Sequence, residues 1–397
     1  MAAGFCFVSG PFSGPSCEWE MRRLPLFFIA AGHLVVDLSQ NILPVILPLQ
    51  KTAFGLTYSQ AGLVATLLSF TSSMIQPIFG LLSDRWRTDW FLGVGIVWTG
   101  LFMGLTGLSP SYPLLLACVT LAGLGTAAFH PRASMEVNRI SGEHRGLGMA
   151  FYTLGGNLGF ALGPIFAAFL VLRGRIENTA WLLALSLPLA LAVHGQGVRT
   201  GAVSLHPRPG KGRMAPAQIP WLQLLVLSLL VTLRSWAYQG FVVYLPLFLQ
   251  TRGLPLTTGS HLLFLFLLSG AIAGLLGGHL SDRWGRKGVI AGSLLFFSPL
   301  MLLALRTTGP WFIPLMALAG SMLLASFSVI IVYAQELLPG HLGLASGLML
   351  GWAFGTGGLG VFISGLLADA IGLEGSIVFL ALLPSLAGIL ALTLRDN

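Results

Sequence analysis

The chain has 397 residues, of which 55% are hydrophobic and only 9% are charged, against roughly 25% charged residues in soluble domains. So few charges could not cover the surface of a soluble protein of this length, and they also exclude a disordered chain. Lys and Arg exceed Asp and Glu by 21 − 13 = 8, and we assign this excess to membrane orientation rather than to nucleic acid binding. The composition predicts a polytopic membrane protein.

The N-terminal residues 1–20 precede the first predicted span and lack the basic segment of a signal peptide. At Met21 a basic start, Met21-Arg22-Arg23, runs directly into an apolar stretch. We hypothesise that translation begins at Met21 and that residues 1–20 are an extension of the gene model.

Twelve apolar segments follow, and a helix needs about 20 such residues to cross a bilayer. The first is 24–49, which contains one charge, Asp37. The runs without Asp, Glu, Lys or Arg are 52–83, 90–131, 146–172, 178–198, 214–233, 253–281, 288–305, 307–335, 337–368 and 375–394. Run 90–131 contains two spans, because Ser and Pro residues at 109–113 signal a turn. Run 214–233 extends through Arg234 to residue 249.

The basic residues predict how these spans are oriented. If the N-terminus is inside, 15 Lys and Arg lie on the inner side, 5 lie on the outer side, and Arg234 lies within a span. Because inner loops carry the excess of Lys and Arg, we expect both termini to be cytoplasmic in a plasma (inner) membrane.

The chain also repeats itself after 198 residues. Residues 80–86, GLLSDRW, fall on residues 278–284, GHLSDRW, and Leu-Pro-Leu at 47–49 falls on the same triplet at 245–247. We therefore expect two six-helix bundles, 21–198 and 220–397, joined by a cytoplasmic linker at 199–219. Repeated halves are typical of secondary transporters, whose site lies between the halves near the bilayer midplane.

Two equivalent loops carry one motif. Its residues are Gly80, Asp84 and Arg85 in the first copy and Gly278, Asp282, Arg283, Gly285 and Arg286 in the second. Both copies resemble the signature of the major facilitator superfamily, although the first departs from it after Arg85. The resemblance implies an all-α membrane protein with twelve transmembrane helices in two pseudo-symmetric six-helix bundles, the major facilitator fold, working by alternating access. It also implies that the two aspartates close the cytoplasmic side, Asp84 at the start of helix 11 near Gly343 and Asp282 at the start of helix 5 near Gly146.

Helix 5 carries a series of small residues: Gly155, Gly156, Gly159, Gly163 and Pro164. The series resembles the Gly-x-x-x-Gly-Pro motif of proton-coupled antiporters in the superfamily. Small residues four apart also let helices approach closely, so plain helix packing is an equal alternative. The arginine of the antiporter pattern on helix 4 is absent, because Val119 stands at its place.

A narrower resemblance rests on four segments of the first half. They are His33-x-x-x-Asp37, Gln76-Pro77, Phe129-His130-Pro131 and Gly155-Gly156-Asn157. Together they resemble the fosmidomycin-resistance group of the superfamily, which consists of inner-membrane exporters and whose namesake removes a small phosphonate antibiotic. The resemblance implies a proton-driven antiporter for efflux of small, anionic, phosphonate-like compounds or drugs.

Two charges, Asp37 and Arg234, lie well inside predicted spans, where each costs about 2.5–3.5 kcal/mol at a helix centre. His33, Asp37, Gln40 and Asn41 share one helix face and form a polar stripe that should face a cavity. Asp37 takes up and releases the driving proton, or it contacts the substrate or forms a gate or ion pair with Arg234, or it belongs to a structural polar network. Arg234 alternatively binds an anionic substrate.

The remaining candidates are polar residues that either line the same cavity or serve packing. The cavity candidates are Tyr152, Asn157, Tyr238 and Gln239. Glu336 and Asp369 are interpreted as interface or capping charges, and His130, before Pro131, is assigned a structural role in preference to proton transfer.

Other classes of function lack their residues in the sequence. There is no Gly-x-x-x-x-Gly-Lys-(Ser/Thr) loop and no His-Glu-x-x-His pair, so we expect neither an enzyme nor a bound metal or cofactor. The expected partners are a small-molecule substrate, protons and the lipid bilayer, without nucleic acid, and the chain is expected to be a monomer. Uptake of an organic anion or sugar by proton symport is the second interpretation, and a non-transporting receptor or scaffold is the third.

Overall fold

The computed structural model describes residues 15–85, 90–141, 144–171, 175–197, 220–307, 309–338 and 342–395. The predicted linker 199–219 and most of the predicted tail lie outside these ranges. The side chains of Asp84 and Arg85 also lie outside the described part, and only the helical backbone is described at the two predicted contact points, Gly146 and Gly343.

All regular structure in these ranges is helical. The helices are α1 (Pro15–Gln40), α2 (Leu43–Phe54), α3 (Tyr58–Ser73), α4 (Gln76–Arg85), α5 (Trp90–Thr106), α6 (Tyr112–Ile140), α7 (Arg145–Val171), a 3-10 helix (Ile176–Ala180), α8 (Trp181–Gly197), α9 (Trp221–Thr251), α10 (Leu256–Trp284), α11 (Arg286–Arg306), α12 (Phe312–Leu337), α13 (Leu342–Ile371) and α14 (Leu373–Ala391).

The described ranges contain the twelve predicted spans. Eleven segments are long and apolar enough to cross a membrane, and α5 is a shorter apolar helix of 17 residues. The predicted division of run 90–131 is confirmed, because α5 ends at Thr106 and α6 begins at Tyr112. The fold class of an all-α membrane protein is therefore confirmed.

The first span is longer than predicted and is broken. It runs over Leu24–Phe54, and a turn at residues 41–42 separates α1 from α2. It ends at Gly55, whose φ of 62° lies in the left-handed region that glycine adopts without strain. Thr57 then begins α3 through a reciprocal capping box with Gln60. The boundary near residue 50 was wrong because Lys51 lies in the last turn of α2.

The glycines of helix 5 bring α7 against α1. A methyl group added at Gly155 or Gly159 would meet the backbone of α1 at Ala30 and Leu34, respectively, and one added at Gly163 would meet Asn41 in the turn that follows α1. Small residues spaced by four thus form a flat face on which α1 lies, which is the packing alternative predicted for this series.

The two halves meet between α3 and α13, at the end of the bundle that carries Asp369, which we call the Asp369 end. The carboxylate of Asp369 accepts hydrogen bonds from the backbone N–H groups of Tyr58, at 2.7 Å, and Ser59, at 2.9 Å. These are free donors in the first turn of α3, where the helix dipole also favours a negative charge. Asp369 is therefore a capping charge at an interface, as predicted, and it joins one half to the other.

The same contact continues toward the middle of the bundle. The Tyr244 hydroxyl on α9 lies 2.9 Å from the carbonyl oxygen of Val361 and 3.2 Å from that of Tyr58. Further along α3, the Thr66 hydroxyl donates to the carbonyl of Gly358 at 2.6 Å. The Asp369 end is thus joined by charge-assisted and neutral hydrogen bonds across the halves.

We expect Asp369→Asn to loosen this contact. Hydrogen bonds to a charged group contribute about 1.5–3 kcal/mol, so the open population at this end should rise about tenfold. The measurement is the labelling rate of a cysteine placed at Thr66 by a membrane-impermeant maleimide, in a chain whose native cysteines are replaced.

The matched control is Glu374→Gln at the same end. Glu374 contacts Arg252 of its own half and its side chain is 76% exposed, so its removal should leave the labelling rate unchanged. Equal rates in the Asp369→Asn and Glu374→Gln chains would contradict a role of Asp369 in holding the halves together.

Candidate functional site

Asp37 lies in a buried cluster with two histidines. Asp37 is 2% exposed. One of its carboxylate oxygens lies 3.1 Å from Nε2 of His33, and the other lies 3.1 Å from Nε2 of His130. His33 is one turn away on α1, as the spacing predicted, whereas His130 comes from α6. Histidine partners on both oxygens are how this fold accommodates an acid in a membrane span.

A second layer of contacts orients both imidazole rings. Nδ1 of His33 lies 2.8 Å from the carbonyl oxygen of Tyr152 on α7, and the two rings stack at 4.0 Å. Nδ1 of His130 lies 3.3 Å from Nε2 of Gln76. Gly156 leaves the space for this arrangement, because a methyl group there would collide with His33 and Asp37.

The contacts of His33 determine where its protons are. A carbonyl oxygen only accepts hydrogen bonds, so Nδ1 of His33 carries a hydrogen and donates it to Tyr152. In neutral His33 the other nitrogen, Nε2, would then present a lone pair to a carboxylate oxygen of Asp37 at 3.1 Å. A hydrogen bond at this position requires one further proton, carried either by His33 or by Asp37.

His130 needs no such extra proton. Nε2 of Gln76 donates to the carbonyl of Ser72 at 2.7 Å, which places the amide nitrogen on the side that also faces His130. Nδ1 of His130 therefore accepts from Gln76, and its Nε2 carries the hydrogen that it donates to Asp37. A neutral His130 can satisfy both contacts, so the contact that calls for a further proton is the one between His33 and Asp37.

The same three side chains are a possible metal-binding group. One ligand atom from each of His33, Asp37 and His130 lies within 4.8 Å of the others. Both carboxylate oxygens already lie at hydrogen-bond distance from an imidazole nitrogen. The geometry therefore suits a shared proton without any movement of the side chains.

The predicted polar stripe on the first helix is divided by the structure. His33 and Asp37 belong to the cluster, whereas the Asn41 amide donates to the carbonyl of Phe160 on α7. Gln40 is partly buried at the end of α1. Asn41 thus serves the packing of α1 on α7 at the turn that follows α1.

His130 is the residue that sequence reasoning placed outside the site. It was interpreted as structural because Pro131 follows it, and the structure adds a contact that was not predicted, between its Nε2 and a carboxylate oxygen of Asp37. The triplet Phe129-His130-Pro131 was among the segments that carried the family resemblance, and this was the available signal.

Arg234 is the second charge inside a span, and it does not pair with Asp37 in this structure. Arg234 is 2% exposed, and its Nε donates to the carbonyl of Leu323 at 3.3 Å. Its guanidinium lies over the rings of Phe327, at 4.9 Å, and Tyr238, at 5.7 Å. The Asp37–Arg234 pair considered from the sequence is therefore replaced by two separate sites.

Two other cavity candidates have different surroundings. Gln239 bridges the halves, because its Oε1 accepts from Ser69 on α3 and its Nε2 donates to the carbonyl of Phe354 on α13, both at 3.0 Å. Asn157 is exposed on α7. Gln239 thus belongs to the contact between the halves.

The second loop motif is organised around Arg286. Its Nη1 donates to Ser281 at 2.6 Å and to Asp282 at 2.5 Å, and its Nε donates to Glu336 at 3.1 Å. Gly285 separates α10 from α11 with a φ of 79°, which favours glycine. Asp282 is thus bonded within its own half in this structure.

The other predicted motif residues have fewer described contacts. Arg283 is exposed, Gly278 faces open space, and Gly80 lies near Pro131. The contacts predicted for Asp84 and Arg85 fall outside the described side chains.

The arrangement of the helices is similar to that of solved transporters. A bacterial homologue of the human lysosomal transporter Spinster, in an inward-facing and occupied conformation, superimposes with a TM-score of 0.82 at 14% identity, covering 96% of this chain and 97% of that one. The nucleoside transporter NupG gives a TM-score of 0.71 at 14% identity, covering 94% and 98% of the two chains. At these identities the likeness shows the fold alone.

Sequence comparison identifies the family. The chain is 34% identical over 396 residues to the fosmidomycin resistance protein of Escherichia coli strain K12, covering 98% of this chain and 97% of the relative. It is also 34% identical over 385 residues to the uncharacterized MFS-type transporter YfnC of Bacillus subtilis strain 168, covering 94% and 93%.

The family model of the Major Facilitator Superfamily matches residues 29–349 and 253–397. These matches confirm the predicted family resemblance and a transporter rather than an enzyme, since the relatives and the similar folds are transporters. The chain is a multi-pass membrane transporter that belongs to the Major Facilitator Superfamily.

Proposed function

We propose that this transporter exports small anionic, phosphonate-like compounds across the bacterial inner membrane in exchange for protons, as a monomer with both termini in the cytoplasm. Support for efflux comes from the relative in Escherichia coli, whose name denotes resistance to fosmidomycin. Support for proton coupling comes from one observation: Nδ1 of His33 lies 2.8 Å from the carbonyl oxygen of Tyr152 while its Nε2 lies 3.1 Å from a carboxylate oxygen of Asp37, a geometry that calls for one further proton between them.

Loss of this proton destabilises the local geometry. Without it, Nε2 of His33 and a carboxylate oxygen of Asp37 face each other with lone pairs at 3.1 Å in a buried site. His33 is also bonded to Tyr152 on α7, so it cannot turn away without breaking that contact. Deprotonation therefore favours a different packing of α1 and α7, which couples the proton to the helix arrangement.

The end at which the halves are joined suggests the order in which the proton is released and the cargo binds. The excess of Lys and Arg on the inner loops makes the Asp369 end the extracellular side, and this end is joined between the halves. In this state the His33–Asp37 pair carries its proton. Release of the proton to the cytoplasm and binding of the cargo then follow, before the halves part at the Asp369 end.

Direction is tested by drug resistance and by vesicle transport together. A fosmidomycin-sensitive host that expresses the chain should grow at higher fosmidomycin concentrations, and everted inner-membrane vesicles should accumulate the compound when their lumen is acidified. Accumulation by right-side-out vesicles with an acidic exterior would instead establish uptake by symport.

Asp37→Asn is expected to uncouple transport from the proton. The amide of the variant preserves the shape of a neutral acid but cannot exchange a proton, so accumulation driven by a pH gradient should fall at least about tenfold, within the roughly 5- to 150-fold range of such couplings. Substrate counterflow at equal pH should persist, because it needs no net proton movement. The measurement is fosmidomycin transport in proteoliposomes.

The matched control is Glu177→Gln, which removes an exposed carboxylate next to α8. It should leave both transport modes unchanged. Undiminished pH-driven accumulation by Asp37→Asn would overturn the assignment of the proton.

The two histidines are expected to differ. His33→Gln removes the partner that shares the exchangeable proton, so pH-driven accumulation should be lost as in Asp37→Asn. His130→Gln keeps a neutral donor toward Asp37, so coupling should remain while the rate falls by a few fold, as expected for loss of about 1 kcal/mol of hydrogen bonding. Comparison of accumulation with counterflow in both variants checks this, and equal loss of coupling in the two would contradict the proton assignment.

A further inference from the structure

The C-terminal half contains a small pocket lined by α9, α12 and α13, which we call the Arg234 pocket. Its lining residues are Val231, Arg234, Ser235, Phe327, Ile330, Ile331, Met349 and Ala353. Six of these eight side chains are apolar and two are polar. The pocket thus combines an apolar wall with two buried polar groups, and its empty volume of about 220 Å³ suits a small head group better than a drug-sized ligand, for which pockets of roughly 300–1,000 Å³ are usual.

The two polar side chains of this pocket are buried, and each has a polar atom without a hydrogen-bond partner among the described residues. Arg234 and Ser235 are each 2% exposed. Among the described residues, Nη2 of Arg234 and the hydroxyl of Ser235 have no hydrogen-bond partner. Unpaired polar groups in such a place are costly, and a ligand that pairs with them recovers that free energy.

The remaining contacts of Arg234 hold the guanidinium in place. Its Nε is used by the carbonyl of Leu323, and the rings of Phe327 and Tyr238 lie against it. These contacts leave the positive charge without a carboxylate partner in the described part of the chain. A guanidinium held this way, with Nη2 unpaired and the unpaired Ser235 hydroxyl in the lining of the same pocket, suits the oxygens of a phosphonate or carboxylate.

We propose that the Arg234 pocket binds the acidic head group of the cargo and that the cargo is an amphiphilic organic anion, with an aliphatic or aromatic body beside Ile331 and Met349. This inference rests on the proposed function in that the bound compound is the one transported. It goes further because it selects amphiphilic anions over strongly hydrated neutral compounds such as sugars. Cations are disfavoured, since a buried positive charge repels them.

Binding of short alkylphosphonates to the purified full-length transporter tests the proposal. Calorimetry with ethyl-, butyl- and hexylphosphonate should show affinity that rises up to about fourfold per methylene until the apolar wall is covered. Hexylammonium and hexanol of the same length should bind at least about tenfold more weakly, since they lack the charge-assisted contact. Absence of binding by all three phosphonates, or equal binding of hexylammonium, would overturn the proposal.

Variants then locate the site. Arg234→Gln should weaken hexylphosphonate binding about tenfold or more, and Ser235→Ala by a few fold. Arg306→Gln is the matched control, because it removes an exposed arginine at the end of α11, and it should bind as the parent does. An unchanged dissociation constant in Arg234→Gln would refute the site.

If Arg234→Gln does not fold, a second variant that fills the pocket still tests whether the ligand binds there. Ile331→Trp retains the arginine and fills the apolar wall, so it should bind ethylphosphonate nearly as the parent does but lose the gain from longer chains. Retention of the full chain-length dependence would refute the predicted wall.

This result is separable from the proposed proton coupling. Arg234-dependent binding together with transport that ignores a pH gradient would remove the proton mechanism and leave the binding site. If proton-driven transport is lost in Asp37→Asn but binding does not depend on Arg234, the proton mechanism would stand and the binding site would be removed.

Discussion

The buried carboxylate of Asp37 is the constraint on which the N-terminal half depends. An acid in a membrane span is stable only with partners, and here both oxygens contact imidazole nitrogens at 3.1 Å. His33 in turn needs the Tyr152 carbonyl on α7, which it reaches because glycines let α7 lie directly against α1. The glycine series and the titratable cluster are therefore one arrangement, and the alternatives of packing and antiporter function for helix 5 are not exclusive.

Sequence reasoning predicted the parts of this arrangement that are local. Spacing of four residues placed His33 beside Asp37, and the 198-residue repeat with its loop motif predicted the twelve-helix fold. His130 was assigned a structural role, because its distance from Asp37 depends on how α6 packs on α1, and no periodicity encodes that. The same limit applied to Arg234. Its position within a membrane span could be predicted from the sequence, but its contacts with the rings of Phe327 and Tyr238, and its separation from Asp37, depend on tertiary packing.

An aspartate at the end of a helix in the other half was predicted for the inner loops, at Asp84 and Asp282, and those contacts stay predictions. The structure shows the same chemistry at the other end of the bundle, between Asp369 and α3. A transporter that alternates must encode closing contacts for both ends, but one structure forms those of a single state. Arg286 meanwhile bonds Asp282 and Glu336 of its own half, so the charges of that loop are satisfied locally here.

The two intramembrane charges differ in a way that suits exchange of a proton for an anion. Under the proposed proton assignment, Asp37 is fully partnered when its site holds one proton. Nη2 of Arg234 has no hydrogen-bond partner among the described residues, and the proposed anion would supply one. Gln239, five residues beyond Arg234, bonds Ser69 across the interface, and this bond must break when the halves part. In the proposed cycle, loading of one half with an anion and unloading of the other would act on contacts between the halves that include this hydrogen bond and those of Asp369 and Thr66.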